Sequence, residues 1–170
     1  MKLRFLPLAL ILAACGGTTT NAPNDAGPDS DTDVAASCNA LANGAPVLAL
    51  SLVASDPPAM QGGTIQDGLY FMTAAEIDTG AGGTSGPSGE SSQVTIQVTG
   101  TTVQVATKSS PSQMTVSLTP NGPASFTWTD TCPDTTTSSV ELTATATSLV
   151  VVVPVAAQPG WSLVETFTKQ

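Results

Sequence analysis

Val94-Thr95-Ile96-Gln97-Val98-Thr99-Gly100-Thr101-Thr102-Val103-Gln104-Val105 carries the reading of the fold. Val94, Ile96 and Val98 alternate with Thr95, Gln97 and Thr99, and Val103 and Val105 resume the rhythm around Gln104. Successive side chains of a strand point to opposite faces, so period two predicts two strands, each with one apolar and one wet face. Thr99-Gly100-Thr101 between them predicts a tight turn, and the pair reads as an antiparallel hairpin.

The pattern continues outward. Met114, Val116 and Leu118 alternate with Thr115, Ser117 and Thr119; Phe126 and Trp128 stand between Thr127 and Thr129; Val140, Leu142 and Ala144 alternate with Glu141, Thr143 and Thr145. Val47 to Val53, interrupted only by Ser51, and Leu149 to Val153 are apolar runs, and Asn121-Gly122 and Gln158-Pro159-Gly160 supply turn signals. No helical period competes. We therefore expect an all-β domain, an antiparallel up-and-down meander of about eight strands closing into a small barrel, because closure removes exposed sheet edges. A two-sheet β-sandwich satisfies the same alternation. Between Ile77 and Gln93 glycine and serine dominate, which predicts a long mobile loop.

Composition narrows the function. The 170 residues include 13 Asp+Glu against 4 Lys+Arg and no His, for a net charge of −9. Without imidazole the commonest general-base and zinc chemistries are excluded, and the negative charge argues against nucleic acid as a partner. A hydrophobic content of 41% supports a real core, and the length suits one domain. No serine lies in a Gly-x-Ser-x-Gly elbow. Lys108 precedes Ser109 and Ser110, but adjacent strand side chains diverge, so no Ser-Lys dyad is expected. The loop glycines do not match a phosphate loop, and no spacing selects a carboxylate pair. Asp29, Asp31 and Asp33 open like a calcium loop, yet Val34 and Ala40 stand where that loop needs Gly and Glu. The chain reads as non-enzymatic, with no cofactor and no metal.

At the N-terminus, Lys2 and Arg4 precede the apolar stretch Phe5 to Ala14, too short to span a bilayer of roughly 30 Å as a helix. Residues 1–14 read as a signal peptide. Leu12-Ala13-Ala14-Cys15 resembles the lipobox of bacterial lipoproteins. The resemblance implies cleavage before Cys15, diacylglyceryl and acyl chains on that residue, and stable anchoring to the membrane through two or more chains. Gly16 in place of Asp resembles outer-membrane lipoproteins. Cleavage leaves only Lys108 and Lys169 against the 13 acidic residues, so the lipid rather than charge would hold the protein to anionic membranes.

Residues 15–37 comprise the lipidated cysteine and an Asp-, Pro-, Gly- and Thr-rich tether with an expected span of roughly 25 Å. The folded domain is expected over 38–170. With Cys15 taken by lipid, an oxidising compartment makes Cys38–Cys132 the simple disulfide, closing a loop of about 95 residues.

Gly63-Thr64-Ile65-Gln66-Asp67-Gly68-Leu69-Tyr70 looks like the opening strand of small lipocalin-like bacterial lipoproteins, and Glu165-Thr166-Phe167-Thr168-Lys169-Gln170 is similar to their closing strand. The resemblance covers about residues 63–170 and implies a lipocalin-like barrel; by that resemblance the loop after its first strand is a lid over the mouth, the commoner case for such a loop being a tolerated surface insertion. On the last strand Trp161, Leu163, Glu165 and Phe167 share one face, so strict alternation points Glu165 inward, where a carboxylate is costly. It is either a polar group in a ligand cavity beside Tyr70, Phe126 and Trp128, or, the commoner case, the mark of a bulge or an exposed barrel end. Two functions follow: a membrane-anchored, non-catalytic envelope barrel binding a small apolar ligand, or a structural or adhesive module with no pocket.

Overall fold

The computed structural model describes residues 37–109 and 112–170, and Ser37–Gln170 form one compact unit. The expected signal peptide, the lipidated Cys15 and the tether up to residue 36 lie outside the described residues. Ten strands occur among the described residues: β1 (Leu48–Val53), β2 (Gly68–Asp78), β3 (Gly86–Ser92), β4 (Val94–Thr99), β5 (Thr102–Thr107), β6 (Gln113–Pro120), β7 (Ser125–Cys132), β8 (Thr137–Ala144), β9 (Ser148–Pro154) and β10 (Ser162–Lys169). From β4 to β10 each strand pairs with the next, β4 also pairs with β2, and β10 returns to pair with β2. The meander thus closes as an eight-stranded antiparallel barrel, and the sandwich is excluded.

Alternation builds the core. Thr99 pairs with Thr102 across Gly100, which adopts φ 58° and donates its N–H to Asp67 Oδ1 at 2.8 Å. Val94, Ile96, Val98, Val103, Val105, Val116, Leu118, Phe126, Val140, Leu142, Leu149, Val151 and Phe167 join Tyr70 and Met72 in one buried cluster. Each such aliphatic side chain contributes about 1.5–3 kcal/mol by leaving water.

One expected wet face is dry. Thr95 is completely buried, because residues 37–46 run as a strap over the outer side of β4 to β6. Its hydroxyl accepts the N–H groups of Gly44 and Ala45, both at 3.0 Å, and donates to Asn43 Oδ1 at 2.9 Å. Asn39 Nδ2 reaches the Met114 carbonyl at 2.7 Å, Thr115 Oγ1 donates to the Cys38 carbonyl at 2.9 Å, and the Cys38–Cys132 disulfide fastens the strap to β7. The expected disulfide is thus present.

Three readings are corrected. Residues 63–67 are not part of the opening strand, because Gly62 bridges to β8 and the chain then crosses the barrel end. Gly62 N–H donates to the Leu142 carbonyl and its own carbonyl accepts Ala144 N–H, both at 2.8 Å, while Ile65 packs on the core and the Tyr70 hydroxyl donates to the Gln66 carbonyl at 2.6 Å. The expected loop over residues 77–93 contains β3, whose backbone pairs with β1, so it is not a lid as a whole. Polar, glycine-rich β3 lies at the sheet edge, where side chains need not fill a core and Pro87 and Glu90 blunt further pairing. Finally, the apolar run around β1 does not join the meander: β1 runs parallel to β2, with Ser51, Leu52 and Val53 opposite Glu76, Ile77 and Asp78.

Two outcomes test these supports. A Cβ at Gly62, which adopts φ 71°, would stand 1.8 Å from the Pro123 carbonyl oxygen, so Gly62→Ala is expected to destabilise the barrel by about 2 kcal/mol or more in urea unfolding. The cysteines are 94 residues apart, so Cys38→Ser with Cys132→Ser is expected to cost about 4 kcal/mol in the same assay, without loss of the barrel's circular dichroism signature at low temperature.

Candidate ligand site

Glu165 is positioned by β10 and its two neighbours. It pairs with Val151 on β9 and with Ala75 on β2, while Phe167, two residues on, pairs with Leu149 and Met72. Directly paired residues share a face, and Val151, Leu149, Met72 and Phe167 all belong to the buried cluster, with Ala75 packed against it. Glu165 therefore lies on the inner wall. A bulge does occur beside it, but on the partner strand: Thr166 pairs with Ala74 and Phe167 with Met72, leaving Thr73 of β2 as the extra residue. Because β10 keeps its alternation, the bulge does not turn Glu165 outward; it re-aims β2 instead, so Tyr70 and Met72 face inward before it and Ala75 and Ile77 after it.

Burial pushes the Glu165 carboxyl up to about 7. No hydrogen bond or ion pair from another described residue reaches it. Its side chain is nonetheless half-buried rather than buried, so space for solvent adjoins it within the wall. Around the interior the same distinction holds. Near the end crossed by residues 62–67, Tyr70, Val98, Leu142 and Leu149 are fully packed, while Ile65 and Ala144 are half-buried. Ala75, Met114, Trp128, Val153 and Leu163 are only half-buried, four of them close to the opposite ends of their strands.

The four expected pocket residues divide accordingly. Tyr70 is fully buried, its hydroxyl held above the ordinary 10.0 by burial first, with the Gln66 hydrogen bond opposing and the Asp67 charge adding. Phe126 is likewise buried, paired with Val140. Both are core, not lining, because alternation alone does not distinguish a filled interior from a hollow one. Trp128 and Glu165 are half-buried. Sequence reasoning missed Asp130, which shares the Trp128 face at spacing two: its Oδ1 accepts Trp128 Nε1–H at 2.8 Å and its Oδ2 accepts the Thr136 hydroxyl. Trp128 is thereby held by a carboxylate whose own valences are filled.

Asp78 was also missed. It is 1% exposed at the end of β2, with Oδ1 accepting the Ser55 hydroxyl at 2.7 Å and Oδ2 without a partner. Two clefts lie outside the barrel wall: one of about 390 Å³ runs over Thr73, Ala74, Ala75, Val164 and Thr166 beside β1, and one of about 240 Å³ lies among Pro57, Glu141, Val152 and Ser162. Among the described residues no group of three or more metal-ligating side chains occurs. The Glu165 carboxyl is the unpartnered acceptor of the inner wall among the described residues.

Glu165 has a measurable signature. Its folded value of about 7 exceeds the ordinary 4.5, so the folded state holds the proton more tightly. Its stabilising contribution is full below pH 4.5, declines as pH rises, and is gone above about 7, a swing of order 2 kcal/mol after allowance for partial exposure. Glu165→Gln is expected to remove that decline, flattening the thermal midpoint between pH 5 and pH 8 as read by calorimetry.

No family model, curated protein or solved structure matches this chain.

Proposed function

We propose that the protein is a lipid-anchored lipoprotein of the bacterial outer membrane whose non-catalytic barrel binds a small, largely apolar ligand at its mouth. The lipobox Leu12-Ala13-Ala14-Cys15 supports the anchor, and the acidic tether after it supports a domain standing clear of the head groups. The observation that carries the ligand reading is Glu165: a carboxylate on the inner wall, unpartnered and reachable, beside half-buried Leu163, Val153 and Ala75. A buried polar group without a partner costs free energy, and a ligand donor removes that cost when bound. The packing of Tyr70 and Phe126 favours a second reading, a filled structural module with no ligand.

Native mass spectrometry of the protein purified from its own membranes separates the two. A discrete small molecule lost on denaturation is the expected result, and a clean apo mass supports the filled module. On the anchor, the peptide beginning at Cys15 is expected to carry diacylglyceryl and acyl mass, and Cys15→Ala to release the protein from the membrane fraction. An unmodified Cys15 in membranes overturns the lipoprotein assignment.

A further inference from the structure

We propose that the cleft between β1 and β2 binds an extended peptide segment of a partner protein. Main-chain hydrogen bonds in the fork of the two strands hold it, and a lysine or arginine side chain of the segment pairs with Glu76. The site lies on the outside of the barrel and is independent of the ligand reading above.

The fork follows from where the ladders stop. β4 pairs with β2 as far as Phe71, and β1 pairs with β2 only from Glu76 onward, so Met72 to Ala75 have no strand partner on that edge. β1 begins at Leu48 but first meets β2 at Ser51. Its other edge is taken by β3, with Leu48 opposite Ser92 and Ala49 opposite Ser91. The strap fixes this separation: Ala45 N–H donates to Thr95 Oγ1 at 3.0 Å, and Gln93 Nε2 donates to the Ala45 carbonyl at 2.7 Å. The chain therefore enters β1 from the outside of β4. The cleft of about 390 Å³ occupies the fork, with Leu48, Ala49 and Ser51 on one side and Thr73, Ala74 and Ala75 on the other.

An unpaired strand edge is a template for another strand, and here two such edges face one space. Four residues of β2 at about 3.3 Å each give roughly 13 Å of edge, enough for about four residues of ligand. Ala49 and Ala74 are small and exposed, so no bulky side chain bars a backbone from approaching. An extended peptide presents donors and acceptors alternately to both sides, which a compact small molecule does not.

Charge selects the class of peptide. Glu76 lines the cleft, half-buried opposite Ser51 and Val164, and no hydrogen bond or ion pair from another described residue reaches it. Asp78, two residues on, holds the Ser55 hydroxyl at 2.7 Å. Lys108 is engaged across β1 by Ser91 of β3, and Lys169 lies over Gly68. An acidic segment would meet both Glu76 and a chain with 13 Asp+Glu against 4 Lys+Arg, whereas a basic segment complements both.

The test uses the oxidised chain with Cys15→Ala and three probes: the acetylated, amidated peptide Val-Ala-Lys-Ala-Val, its norleucine counterpart, and the lysine peptide N-methylated at alternate residues. Amide chemical shifts in NMR titrations report site and affinity. The lysine peptide is expected to shift amides of residues 48–51 and 72–76. The norleucine peptide should bind about fivefold more weakly, and Glu76→Gln should erase that difference. N-methylation should weaken binding about tenfold by removing donors. Ala74→Phe, which fills the cleft from an exposed position, should abolish binding with the circular dichroism signature intact; Ala49→Phe is the second variant should the first misfold. Equal binding of the N-methylated peptide overturns strand pairing, and equal binding of the norleucine peptide overturns the basic class. No shift at roughly 1 mM lysine peptide overturns the proposal. So does a peptide-free dimer that shifts the same amides, which makes a second copy the occupant, or an Ala74→Phe shift reaching residues 16–36, which makes the chain's own N-terminal segment the occupant.

Discussion

The return of β10 to β2 is the constraint on which the structure depends. Without it the meander would be an open sheet with two exposed edges, and the residues of its inner face would have no common interior to fill. Eight paired positions from Ser162 opposite Asp78 to Lys169 opposite Tyr70 make the closure. It also needs a bulge, because β2 must serve two partners along one edge: β4 over Gly68–Phe71 and β1 over Glu76–Asp78. The extra residue at Thr73 lets the first half of β2 present Tyr70 and Met72 inward and the second half present Ala75 and Ile77. A regular strand would have turned one half of these apolar side chains to solvent.

The two ends of the closed barrel are treated differently. At one, Gly62 extends the β8 ladder where β7 has stopped, and Ile65 and Gln66 then cross beneath Tyr70. This seals the interior with backbone whose hydrogen bonds are satisfied. At the other, the N-terminal strap and the disulfide reinforce the outside of the wall, burying Thr95 and Ala106. Reinforcement from outside adds stability through the strap's hydrogen bonds and the constrained unfolded chain rather than through more core.

Much of this was legible in the sequence. Val94 to Val105, Met114 to Leu118 and Val140 to Ala144 each turn their apolar residues to the interior for the reason that makes period two a strand signal, and the cysteine count pointed to the right pair. What was not legible depends on tertiary context. Thr95 reads as solvent-facing because a strap from residues 37–46 leaves no mark on the β4 pattern. The segment Gly86–Ser92 reads as loop because an edge strand is defined by backbone pairing, to which serine and glycine side chains contribute no periodicity. Tyr70 and Phe126 read as pocket residues because a hollow barrel and a filled one share the same inward alternation.

Glu165 was visible as a break in an apolar face, and its orientation follows from which strand carries the bulge. An extra residue on β10 would have turned the carboxylate to water at little cost. The residue is on β2, so the carboxylate remains inside, where neighbouring valine and alanine offer no hydrogen bond. A core selected for stability alone would place Leu or Val at this position, since replacing an unpartnered buried acid by an apolar side chain of similar volume is neutral or favourable. The acid remains on the inner wall two residues from half-buried Leu163, with Val151 and Ala75 opposite it.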